Sequence, residues 1–99
     1  MDIQRLRNLT TRRLHTEIQH IYEDLEEIIG DKGLMTHMLP GVCEAITPWL
    51  RDKVIDPRFW DGLYDVTHIG EIDLPTPTAE ERAEMFRLYK EQPSIFDRR

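Results

Sequence analysis

A chain of 99 residues with a formal charge of −6, 39% hydrophobic and 32% charged, can build one core but has little surplus for a deep enclosed substrate cavity. Its lone cysteine, Cys43, excludes an intramolecular disulfide framework, and no run approaches the ~20 apolar residues of a membrane span. The opening stretch MDIQRLRNLTTRRL lacks the apolar segment of a secretory signal, so the expected setting is a reducing cytoplasm.

The charge is uneven. Residues 1–13 hold four arginines and one aspartate, residues 14–81 hold fifteen acids against four basic side chains, and residues 82–99 return to a small positive balance. An acidic body repels phosphate and is steered toward basic surfaces. Direct nucleic-acid contact is therefore the less favoured expectation, and it would fall to a basic N-terminal arm (1–13) carrying Arg5, Arg7, Arg12 and Arg13.

In chain order, that arm is open between a short strand, a helix and disorder. The clearest element follows in TEIQHIYEDLEEIIG, where Ile18, Ile21, Tyr22, Leu25, Ile28 and Ile29 keep helical spacing. Thr16 with Gln19 fits a capping box, and Gly30 suits a left-handed C-terminal turn. The opposite face carries Glu17, His20, Glu23, Asp24, Glu26 and Glu27, which reads either as a solvated face or as a docking surface. A second helix is expected over THMLPGVCEAITPWLRDKV, with a break or bend near Thr47 because Pro48 lacks a backbone donor. Residues 56–77 read as irregular with one or two short strands. Thr78 and Glu81 then form a capping box for a third helix, with a tail from Gln92 in which Ile95 and Phe96 are candidates to dock.

The fold class expected is mainly α, with α+β left open: about three helices in one small domain (14–91), flanked by the arm and the tail (92–99). Of the aromatics, Trp49 is expected in the core, while Phe59 and Trp60 are adjacent in a non-helical stretch, which makes one of them the preferred exposed anchor.

The spacing of His15, His20, His37 and Cys43 closes no tetrahedral metal site, and neither metal nor cofactor is expected. Cys43, between Val42 and Ile46, reads as a small core hydrophobe. No phosphate loop, nucleophile elbow or zinc-protease pattern occurs. The expectation is a protein that is not an enzyme, with His37 or His68 as the candidates should it be one.

Thr10, Thr11, Arg13 and Leu14 before a helix, Ile21, Tyr22 and Leu25 within it, Gly30 and Asp31 at its end, then Thr36, His37, Leu39 and Pro40, with Pro48, Trp49 and Leu50 trailing, resemble a family of small uncharacterised bacteriophage and prophage proteins. That pattern often has glycine where Arg12 stands, and the resemblance stops at Leu50. It implies a host bacterial cytoplasm as the setting and stoichiometric binding of host machinery as the action, as in inhibitors of the anti-CRISPR or anti-restriction class. The partner expected is a host protein with a basic surface, contacted through Glu23, Asp24, Glu26, Glu27, Asp31, Phe59 and Trp60. A nucleic-acid or nucleotide-binding regulator using the arginine arm is the alternative, and spare apolar faces leave a homodimer open.

Overall fold

A computed structural model describes residues 1–92, and four α-helices make up most of them. They are α1 (Ile3–Thr10), α2 (Ile18–Ile29), α3 (Leu39–Lys53) and α4 (Ala79–Glu91), with short 3-10 turns at Thr36–Met38 and Pro57–Phe59. The mainly helical class holds, with one helix more than the sequence suggested. Residues 93–99, including Ile95 and Phe96, lie outside the described part of the chain.

The additional helix is α1. Asp2 caps it by accepting from the Arg5 amide at 3.1 Å, and its apolar positions recur every three residues as Ile3, Leu6 and Leu9. Leu6 and Leu9 are fully buried among Leu25, Ile28 and Ile29 of α2 and Val42, Ile46 and Leu50 of α3. The first thirteen residues are thus part of the globule and not a separate arm.

Helix α2 ends as expected at Gly30, whose φ of +77° is left-handed. Its start differs. Glu17 occupies the cap without a side-chain bond, because the Thr16 hydroxyl instead accepts from Asn8 Nδ2 at 2.7 Å and bonds His20 Nδ1 at 2.9 Å. The Thr16–Gln19 capping box does not form, and Ile18 is left half exposed.

Helix α3 runs unbroken through Pro48, against the expected break near Thr47. The proline removes one backbone donor, at a cost of about 3 kcal/mol. Core side chains on both sides of it, Val42 and Ile46 before and Trp49 and Leu50 after, hold the helix against its neighbours and offset that cost.

Helix α4 forms its capping box in full: Thr78 Oγ1 accepts from the Glu81 amide at 3.1 Å, and Glu81 Oε1 from the Thr78 amide at 2.9 Å. It packs Met85 on α3, and Gln92 Nε2 donates to the Gly41 carbonyl at 2.9 Å. A Cβ at position 41 would stand 2.8 Å from Gln92 Oε1 and 3.2 Å from the Tyr89 ring, so the glycine permits this approach.

Residues 56–77 form no extended strand. What remains of the expected β structure is one isolated antiparallel bridge, Asp2 with Glu71, flanked by Ile3 N–H donating to the Gly70 carbonyl and Ile72 N–H to the Met1 carbonyl. The pairing ends there because the chain enters α1 and turns away.

Candidate interaction surface

Two structures dominate the polar chemistry of the domain: a buried arginine that clamps a loop, and a carboxylate-lined groove. The arginine is Arg7, which is 0% exposed. Its position in α1 between Leu6 and Asn8 turns it toward the loop that follows α3. Nη1 donates to the Arg58 carbonyl at 2.6 Å and to His68 Nδ1 at 2.8 Å, Nη2 donates to the Leu63 carbonyl at 2.7 Å, and Nε reaches His15 Nε2 at 3.4 Å. The nearest carboxylate oxygen, on Asp61, is 3.7 Å from Nη2, too far for a hydrogen bond. Carbonyl and imidazole lone pairs therefore supply most of the compensation for burying this charge.

The geometry fixes the histidine tautomers. A guanidinium only donates, so His68 Nδ1 must accept, and the ring carries its proton on Nε2, which is buried without a partner among the described residues. His15 accepts at Nε2 and donates from Nδ1 to the Arg13 carbonyl at 2.9 Å. His68 also lies 4.6 Å from the Phe59 ring. Its burial first, then the charges of Arg58 and Arg7, push its pKa below the ordinary 6.5, with Asp56 and Asp65 opposing weakly.

The unfolded chain therefore takes up a proton at this position before the folded one does. The stabilisation from neutral His68 is complete above about pH 6.5 and declines as pH falls through the folded value, by no more than about 1.4 kcal/mol per pH unit for one proton. Urea unfolding between about pH 7 and pH 5.5 should show this slope in the wild type and a shallower one in His68→Asn, whose Oδ1 can replace the Nδ1 acceptor but does not titrate. Equal slopes would remove His68 as the cause.

The groove runs between the start of α1, the second half of α2 and the segment Leu74–Pro77, with a volume of about 430 Å³. Asp2, Asp24, Glu27 and Glu71 line it, against the cations of Arg5 and the Met1 amino group. Ile28, Leu74, Pro75 and Pro77 supply its apolar wall. Arg5 binds Asp24 through Nη2 at 2.7 Å and Nε at 3.0 Å, and Glu23 at 3.2 Å. Burial pushes the Asp24 carboxyl upward, while the Arg5 guanidinium pulls it back.

These contacts redraw the expected acidic face. Glu23 and Asp24 are partly neutralised by Arg5, and Arg82 folds over the end of α2, donating to the Glu27 and Ile28 carbonyls at 2.7 and 3.2 Å. Glu26 is half-buried and Glu27 exposed, neither with an ion pair among the described residues, while Asp31 turns back to accept from the Gly33 amide. Arg5 thus interrupts the acidic face along α2, of whose acids Asp24 and Glu27 line the groove while Glu17, Glu23 and Glu26 lie outside it. Sequence reasoning missed Asp2 and Glu71 in the groove. The signal for Asp2 was present, since an aspartate directly before the Ile3, Leu6, Leu9 series marks a helix start.

The aromatic pair separates. Phe59 is 1% exposed and part of the core, so it is no surface anchor, whereas Trp60 is half-buried, with Nε1 donating to the Val54 carbonyl at 2.7 Å and the Arg51 guanidinium 4.3 Å over its ring. The arginines proposed for nucleic-acid contact are largely engaged: Arg5 and Arg7 as described, Arg12 with Glu44 at 3.3 Å, and Arg13 through Nε with the Gly62 carbonyl at 2.6 Å. Arg12 has a φ of +59°, a left-handed conformation that favours glycine. Trp49 is buried as expected, and so is Cys43, whose thiol pKa is raised by burial. His37 is exposed in the Thr36–Met38 turn and His68 is buried against Arg7, and neither lines the carboxylate groove. Among the described residues no three histidine, cysteine or carboxylate side chains are placed to share a metal, and no helix is long and apolar enough to cross a membrane.

Fold and surfaces together define a small four-helix domain with a loop locked down by a buried guanidinium. The chain belongs to the family described as Domain of unknown function (DUF7736), whose model matches residues 1–60. That span holds α1, α2 and α3 with Arg5, Arg7, Asp24 and Glu27, and ends just after the Pro57–Phe59 turn. No curated protein and no solved structure matches the chain.

Proposed function

We propose that this domain acts without catalysis, by stoichiometric binding of a protein partner that presents a basic surface. The observation that carries this reading is the groove, where four carboxylates face two cations beside an apolar wall. Such a groove suits a lysine or arginine side chain, whose aliphatic stem lies along Leu74, Pro75 and Pro77 while its charge meets Glu27 and Glu71. The resemblance to phage proteins supplies the finer reading: a host bacterial cytoplasm, and a nucleic-acid-binding component of host defence whose basic surface this domain would occupy in place of nucleic acid.

Charge reversal tests the reading. Asp2 is left in place because it caps α1; Glu27→Lys combined with Glu71→Lys changes two exposed side chains with little effect on folding. Affinity capture from bacterial lysate should retain a basic protein on the wild type, and the measured affinity should fall about tenfold or more in the double variant and with rising salt. A complex indifferent to both changes would sink the groove as the contact.

A further inference from the structure

We propose that residues 60–68 form an acid-released latch: a proton on His68 frees this loop from Arg7 while the four helices stay packed. The geometry leaves that proton no place in the closed loop. His68 is buried, with Nδ1 2.8 Å from Arg7 Nη1 and with Nε2 enclosed without a partner among the described residues. A neutral ring meets this arrangement by accepting at Nδ1. An imidazolium carries a proton on both nitrogens, so one N–H would face a guanidinium that only donates and the other would stay without an acceptor. Turning the ring over exchanges the two nitrogens and restores nothing.

The charges around the ring do not absorb the conflict. Arg7 from α1 and Arg58 from the Pro57–Phe59 turn carry the sign of the imidazolium, and Asp56 and Asp65 oppose them more weakly. Both carboxylates are already engaged, Asp56 by the Arg58 guanidinium at 2.7 Å and Asp65 by the Thr67 amide at 2.9 Å. Asp61 stands 3.7 Å from Arg7 Nη2, one carboxylate beside what would be two cations. His15, the second imidazole at this guanidinium, is half-buried and its contact is longer, at 3.4 Å. His68 is therefore the group whose protonation the closed loop cannot accommodate.

Release is local because apolar burial holds little of the loop. Leu63, Tyr64 and Val66 are all more than half exposed. Apart from the His15 ring stacked on Tyr64, the attachments are polar. Arg7 holds the Leu63 carbonyl, Gln4 Nε2 those of Asp65 and His68 at 3.0 and 2.7 Å, and Arg13 Nε that of Gly62. The core around Leu25, Ile46 and Leu50 is formed by the helices themselves. Phe59, inside that core, and Gly70, whose carbonyl accepts from Ile3 N–H at 3.0 Å, bound the opening unit. Segments with few buried apolar contacts open at a lower free energy than the whole fold. Glu71 and the groove lie outside the unit, so the latch does not depend on what binds there.

The test is solvent exchange of the Arg7 guanidinium protons, buried while the loop is closed, followed by NMR on the full chain and corrected for the intrinsic rate at each pH. Their protection should be lower than that of the Ile46 and Leu50 amides, because it reports the loop and not the whole fold. It should fall about fivefold or more between about pH 7 and about pH 5.5, with helical circular dichroism unchanged. In His68→Asn, whose Oδ1 accepts from Arg7 but does not titrate, the fall should be less than about twofold. His68→Gln replaces that variant if it does not fold. Arg7 protons as protected as the core amides would mean that the loop leaves only when the chain unfolds, which overturns the latch. A protection that ignores pH overturns it too, as does a substituted chain that keeps the full pH dependence.

Discussion

Replacing Arg7 by methionine should destabilise the domain by about 2 kcal/mol, although the variant side chain is apolar and of similar length. Removing a buried charge relieves its desolvation, which works in favour of the variant. Against that stand the groups left behind. The Nδ1 of His68, a buried acceptor, loses its donor at about 1 to 3 kcal/mol, and the partly buried Arg58 and Leu63 carbonyls lose theirs at a smaller cost. Together these losses outweigh the relief, and for a domain whose total stability is about 5 to 15 kcal/mol the change is large. Arg7→Lys should recover little, because one ammonium cannot span two carbonyls and an imidazole held by a planar fork. Urea unfolding of both variants, with amide exchange over residues 58–68, checks the result. An Arg7→Met unfolding free energy within about 0.5 kcal/mol of wild type would mean that the clamp contributes nothing to stability.

The parts of this molecule legible in its sequence are those governed by local periodicity and capping. The α2 stripe, the Gly30 stop and the Thr78–Glu81 box all depend on neighbours close in sequence, and all appear, although of the stripe's six residues Leu25, Ile28 and Ile29 are buried, Ile21 and Tyr22 partly so, and Ile18 exposed. What escaped depends on partners far along the chain. Thr16 looked like a cap until Asn8 claimed its hydroxyl, and Pro48 looked like a break until the core on both sides of it held the helix together. Arg7 looked like one charge in a basic arm, and nothing local distinguishes it from Arg5, Arg12 or Arg13. Its partners lie eight to sixty-one residues away, at His15, Arg58, Leu63 and His68. The acidic face failed as a continuous field for the same reason, since Arg5 and Arg82 reach α2 from other helices. Composition identified the sign of the surface and not where the charge survives.

Phe59→Ala should cost about 3 to 5 kcal/mol, the range for removing an aromatic ring from a filled core. The ring is fully enclosed and stands against His68, so its loss opens a cavity beside the Arg7 clamp and weakens both together. Trp60, the next residue, should behave differently. It is half-buried, and Trp60→Ala forfeits one hydrogen bond to the Val54 carbonyl, the Arg51 contact and part of its packing on the core, together about 2 to 3 kcal/mol. The contrast separates a packing residue from a binding one. A residue that anchors a partner loses affinity on truncation while unfolding stays nearly unchanged, whereas Phe59→Ala should shift the denaturation midpoint and leave the affinity of the folded fraction as it was. Denaturation and binding measured on the same two variants therefore give four numbers that must fall in that pattern. A Phe59→Ala protein as stable as wild type but unable to hold its partner would return Phe59 to the surface, and with it the loop conformation that Arg7 is argued to enforce.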